Sequence, residues 1–84
     1  MRLPIIKHMI HFIQENDEDY VKETIETLEA LTEAAIKDEE LDVIGEILSN
    51  LYGAVEVSKL MREGKSEKEA LNEFMKRVTG SIDR

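Results

Sequence analysis

From Asp38 to Glu63 the chain carries apolar residues at helical spacing and no proline, and this single stretch limits what the rest can build. A helix of about 25 residues is ~37 Å long at 1.5 Å per residue. A compact chain of 84 residues has a radius of gyration near ~12 Å, hence a diameter of ~30 Å. One helix is therefore as long as the whole molecule. Leu41, Ile44, Ile47, Leu48, Leu51, Tyr52, Val55 and Met61 are its apolar set, with Ile44, Leu48, Leu51 and Val55 as the main stripe. Beside that stripe, four-residue steps line up Leu41, Gly45, Ser49, Gly53, Val57 and Met61, a trough that is small in the middle and apolar at both ends. Asp42, Glu46, Asn50 and Glu56 are the polar exceptions.

Three further helices accompany it. Pro4 suits a first helical turn, where its missing N–H is no loss, and Ile5, Ile6, Met9, Ile10, Phe12 and Ile13 give a broad apolar face over about Leu3 to Glu15. Asn16 or Asp17 then caps a second helix, expected over about Glu18 to Lys37, with Val21, Ile25, Leu28, Leu31, Ala35 and Ile36 as its stripe. Thr24 and Thr32 interrupt that stripe, and Glu23, Glu26, Glu29 and Glu33 form the opposite, solvated face. Asp38 is the expected cap of the long helix, with Glu39 and Glu40 in its first turn. Gly64 stops it in the left-handed conformation that glycine tolerates. "SEKE", Ser66 to Glu69, is a capping box that opens a fourth helix over about Glu67 to Val78, burying Ala70, Leu71, Phe74, Met75 and Val78 and ending near Gly80. A short tail follows, with Ile82 able to dock. No segment alternates with period two for long. The pattern predicts an all-α, four-helix bundle-like single domain over residues 1–84 with a long third helix.

Net charge is −8 and unevenly spread. Between Glu15 and Glu40 eleven acidic residues face two lysines, whereas Lys59 to Arg84 is mildly basic. Phosphate neutralisation needs a concentrated basic surface, so nucleic acid is disfavoured as a partner. A solvated surface is the plain reading of the acidic tract, and a protein partner with a basic surface is the sharper one. Cysteine is absent, which removes disulfides and thiolate sites and suits a reducing compartment. No apolar run approaches the roughly 18 residues that span a bilayer. "MRLPIIKHMIHFI" is broken by Lys7, His8 and His11 and precedes no small-residue cleavage site, so it reads as a helix and the chain as soluble and cytoplasmic.

Chemistry finds little footing. His8, His11 and Glu15, spaced three and four apart, project from one side of the first helix and are the metal-ligand candidates. That side is opposite Met9, Ile10 and Ile13, and neither His-Glu-x-x-His nor Glu-x-x-His occurs, so surface histidines are the preferred reading. "NDEDY" lacks the glycine and distal glutamate of a calcium loop. Gly-Lys-Ser at Gly64 to Ser66 lacks the upstream glycine and strand of a phosphate loop. Nucleophilic catalysis without cysteine needs Ser49, Ser58, Ser66 or Ser81 beside a base, and Ser66 is already a cap. Neither Tyr52, Phe12 and Phe74, read as core, nor Met9, Met61 and Met75, read as gap-fillers rather than a pliable groove, point to a cofactor. The expectation is no enzyme and no cofactor.

"DEELDVIGEILSNLYGAVEV" followed by "LNEFMKRVTGSID" resembles a family of short bacterial proteins known only as a domain of unknown function, over nearly the whole chain. The resemblance implies a stand-alone bacterial protein of a kind encoded near thioredoxin-like or peroxide-defence proteins. It supplies no activity, cofactor or catalytic residue.

Glycine costs a helix interior roughly 1 kcal/mol relative to alanine, so two in the longest helix need an offsetting gain. Small residues let another helix approach closely. A symmetric homodimer crossing at Gly45, Ser49, Gly53 and Val57 is the favoured expectation. An internal crossing by the first or fourth helix, or a kink at Gly53, is the alternative. The resulting reading is a self-associating protein-binding or adaptor module. Its competitor is a metal-binding helical protein using His8, His11 and Glu15, linked to thiol or peroxide defence.

Overall fold

The computed structural model describes residues 2–82, the last four by backbone alone. Four helices follow in order: α1, Leu3–Glu15; α2, Glu18–Leu31; α3, Asp38–Arg62; and α4, Glu67–Ile82. Among the described residues there is no strand. α3 is the hub, packing against each of the other three, while α1 also touches α2.

The contacts fix the directions. Arg2 meets Asn50, Ile6 meets Gly53, and Ile13 lines one cavity with Ser58 and Met61, so α1 runs parallel to α3. Glu18 pairs with Arg62 and Glu29 with Tyr52, so α2 runs antiparallel to it. α4 doubles back after Gly64 until Phe74 reaches Gly53. Ile6, Ile10 and Ile13 of α1, Val21 and Ile25 of α2, and Ala70, Leu71 and Phe74 of α4 close on Leu48, Leu51, Ala54, Val57 and Leu60 of α3.

The trough on α3 is filled from within. A Cβ on Gly53 would lie 3.0 Å from Ile6 Cδ1 and 3.2 Å from Phe74 Cζ, so α1 and α4 converge on this one bare backbone position. Val57 is fully buried. The expected intersubunit contact at Gly53 and Val57 is therefore corrected to an internal crossing, because two helices of the same chain already occupy that side. Gly45 has nothing within 4 Å of its Cβ position, and Ser49 is half-buried.

Chain stops follow local chemistry with three differences. α2 ends at Leu31, not at Lys37. Antiparallel neighbours need a connection of about two to five residues, and none would remain if both helices ran to the Lys37–Asp38 boundary. Thr32 closes the last turn, its N–H shared by the Leu28 and Glu29 carbonyls and its hydroxyl donating to Glu29 O at 2.6 Å. α3 is capped at Lys37 rather than Asp38: the Lys37 N–H donates to Glu40 Oε1 at 2.9 Å. Lysine has no acceptor to return the bond. α4 continues through Gly80 to Ile82, and docking of the Ile82 side chain lies outside what is described. Elsewhere the expected chemistry is present. Asp17 Oδ1 accepts from the Asp19 N–H at 3.0 Å, and Gly64 has φ +108°. Ser66 and Glu69 exchange side-chain to backbone bonds at 3.1 Å each way. Asn50, expected to be polar surface, is buried because its amide bridges two helices, accepting from the Arg2 N–H at 2.7 Å and donating to Glu46 O at 2.9 Å. Tyr52 and Phe12, expected in the core, are exposed instead, Phe12 lying edge-on to Tyr20.

Two predictions test this packing. In urea unfolding, Gly53→Leu should destabilise the protein by about 1–3 kcal/mol through overpacking. Gly45→Ala, in open space, should stabilise it by about 0.5–1 kcal/mol. Gly53→Ala should fall between, since its helix gain is offset by crowding against Ile6 and Phe74. Equal effects at both glycines would contradict the internal crossing.

The capping box gives the second. Ser66→Ala should cost about 1 kcal/mol. Hydrogen bonds from the Ser66 backbone and hydroxyl hold the Glu69 carboxyl below its ordinary pKa. Its contribution is therefore complete above the ordinary glutamate pKa and is lost as pH falls through the depressed one. The stability gap between wild type and Glu69→Gln should be present at neutral pH and close in acid; a pH-independent gap would contradict the assignment.

Candidate functional site

The buried residues of α3 begin at Leu48, and its first ten residues, 38–47, bury none. The cause is register. Val43, Ile47, Asn50, Ala54, Val57 and Met61 follow one another at alternating four- and three-residue steps and so share one face. α1 covers that face from Asn50 onward and starts there, fixed by the Arg2–Asn50 bond. Beyond the start of α1 the same face continues uncovered. On it Val43 is 59% exposed and Ile47 42%. The molecule measures 42 × 36 × 18 Å with a radius of gyration of 13.7 Å, larger than the ~12 Å of a compact chain this long.

Acidic groups edge the bare face. Glu39 precedes Val43 by four residues and Asp42 by one. From Glu29 to Glu46 every charged residue is acidic except Lys37. α2 contributes Glu29, whose carboxylate accepts from the Tyr52 hydroxyl and raises that hydroxyl's pKa. Val43 was not part of the stripe read from sequence; its four-residue step to Ile47 is the signal that marks it.

At the opposite end, Ile13, Gln14, Glu18, Ser58, Met61 and Arg62 line a shallow cavity of about 310 Å³. Ser58 Oγ is buried there without a hydrogen-bond partner among the described residues. Burial pushes the Glu18 carboxyl up, but hydrogen bonds and charge from Arg62 and Lys22 outweigh it and hold the pKa below the usual value. The cavity's charges are thus satisfied within the protein.

The sequence candidates fall apart by position. His8, His11 and Glu15 are all exposed on α1. His11 Nε2 lies 3.0 Å from Glu67 Oε1 and links α1 to α4 rather than to its helix neighbours. Among the described residues no three His, Asp or Glu side chains gather to hold a metal. Of the four interface candidates, Gly53 and Val57 belong to the core and Gly45 and Ser49 flank the bare segment. Among the described residues no helix is long and apolar enough to cross a membrane.

Replacing both histidines by alanine should leave the unfolding free energy within about 0.5 kcal/mol of wild type, as for most surface changes. Zinc calorimetry should show no micromolar binding that the substitutions abolish. Such binding would restore the metal reading.

Comparison with known proteins adds one finding. No curated protein and no solved structure matches the chain. A family model matches residues 1–83, and the chain belongs to that family, a family of unknown function (DUF6952).

Proposed function

We propose that the protein is a cytoplasmic binding or adaptor module, not an enzyme, and that it holds another polypeptide against the N-terminal segment of α3. One observation carries this reading: a face that is core from Asn50 onward continues in solvent through Ile47 and Val43. Scattered surface aliphatics need no explanation, whereas an apolar face rimmed by polar residues is the usual character of a docking surface. Helices in solution commonly engage partners through such rows at i, i+3, i+4 and i+7.

Homodimerisation through the glycine row loses support, because Gly53 and Val57 are already covered. Metal chemistry at His8, His11 and Glu15, and a role in thiol or peroxide defence, have no comparable observation behind them. Catalysis likewise lacks a nucleophile placed beside a base among the described residues: both histidines lie exposed on α1, and His11 is engaged with Glu67.

A photo-crosslinking side chain placed at Val43 tests the proposal in living cells. Discrete adducts are expected at position 43 and none at Glu15, and Ile47→Asp should remove them without changing the circular dichroism spectrum. An adduct at twice the 9.7 kDa chain mass would identify a second copy. No adduct at position 43, or the same pattern at both positions, would overturn the proposal.

A further inference from the structure

We infer that the partner of this face is a basic amphipathic helix of another protein, seated on α3 in line with α1; this rests on the binding role proposed above. Size argues first. The lane on α3 that α1 fills from Asn50 onward is empty over residues 38–47, roughly 15 Å at 1.5 Å per residue. That length accepts about three turns of helix, with aliphatic side chains directed at Val43 and Ile47.

Charge argues second and decides the occupant. Glu39 and Asp42 stand four and one residues before Val43, α2 adds Glu29 at the height of Tyr52, and the turn after α2 adds Glu33. The helix dipole accounts for Asp38, Glu39 and Glu40 in the first turn of α3, but Asp42 lies beyond that turn. The dipole favours bases, not acids, near the C-terminus of α2, which has no base in its last turn. The sum is a negative field around an apolar strip, which lysine and arginine flanking an aliphatic row would complement.

A second copy fits poorly. A two-fold dimer brings the same patch against itself, here acid against acid. Part of the chain's own basic region is engaged elsewhere, Arg62 with Glu18 and both Lys65 and Arg77 with Glu73, while Lys59, Lys68 and Lys76 are exposed. Docking that region on the bare face of a neighbour would be a head-to-tail contact that need not close.

The test uses the full chain and three fluorescent helical peptides of about 18 residues. One has a leucine face flanked by lysine, one has glutamate for lysine, and one keeps lysine but has serine for leucine. Anisotropy titrations should show that only the leucine–lysine peptide binds, with affinity falling as salt rises from about 50 to 500 mM through screening. Val43→Asp with Ile47→Asp should weaken it at least about tenfold, although the change adds negative charge; a purely electrostatic complex would instead tighten. Glu39→Lys with Asp42→Lys should also weaken it about tenfold or more. If the aspartate variant loses binding while the lysine variant and the salt series have no effect, the basic partner is wrong and the docking face stands. Wild type that sediments as a closed dimer, and becomes monomeric in the aspartate variant, would make the occupant a second copy and overturn the inference. If no peptide binds and position 43 yields no crosslink, both readings fail.

Discussion

Everything in this fold is arranged around the contact at Gly53. α3 must accept α1 and α4 on adjacent sides at the same height, and a position without a Cβ lets Ile6 and the Phe74 ring pack there without being pushed back by a few tenths of an ångström. Glycine in a helix interior costs about 1 kcal/mol, and the close packing of two buried side chains over it offsets that cost. Fully buried Val57 and Ala54 extend the crossing by one turn and keep it apolar.

From this crossing the rest of the architecture follows. With Ile6 fixed over Gly53, a parallel α1 must begin near Asn50, where the buried amide accepts the Arg2 N–H and turns a helix start into a tertiary bond. The start of α1 therefore sets the limit of the covered region on α3. Of the ten residues N-terminal to Leu48 none is fully buried and Ile44 alone packs against the core, so this end of α3 is thinly covered. An apolar face designed for a neighbour runs past the end of the neighbour it has.

Electrostatics gives the two ends different characters. At the Arg62 end opposite charges are paired, Glu18 with Arg62 and Lys22, and Glu73 with Lys65 and Arg77, so the field there is small. At the other end the run from Glu29 to Glu46 includes only Lys37 as a base, and it surrounds the uncovered aliphatic strip in sequence. The metal candidates lie on neither feature. They sit along exposed α1, where His11 is engaged by Glu67.

The sequence by itself determined the helices and most of their stops, because these depend on a few neighbouring residues. Pro4, Asp17, Gly64 and the Ser66–Glu69 box act within one turn of where they stand. It also marked Gly53 as a close approach, since small residues at four-residue steps have few other uses. Tertiary structure alone decided what fills that approach and what remains open. Around most of its circumference α3 is apolar or small, so periodicity allowed an internal crossing and an intersubunit one equally. Register chose, by placing Ile6 and Phe74 on Gly53 and leaving Val43 and Ile47 beyond the first turn of α1. The same long-range demand ended α2 at Leu31, in residues with no proline or glycine to stop it. Coverage of a helix depends on where its neighbours begin, and that distance is a property of the packed molecule rather than of any local run of residues.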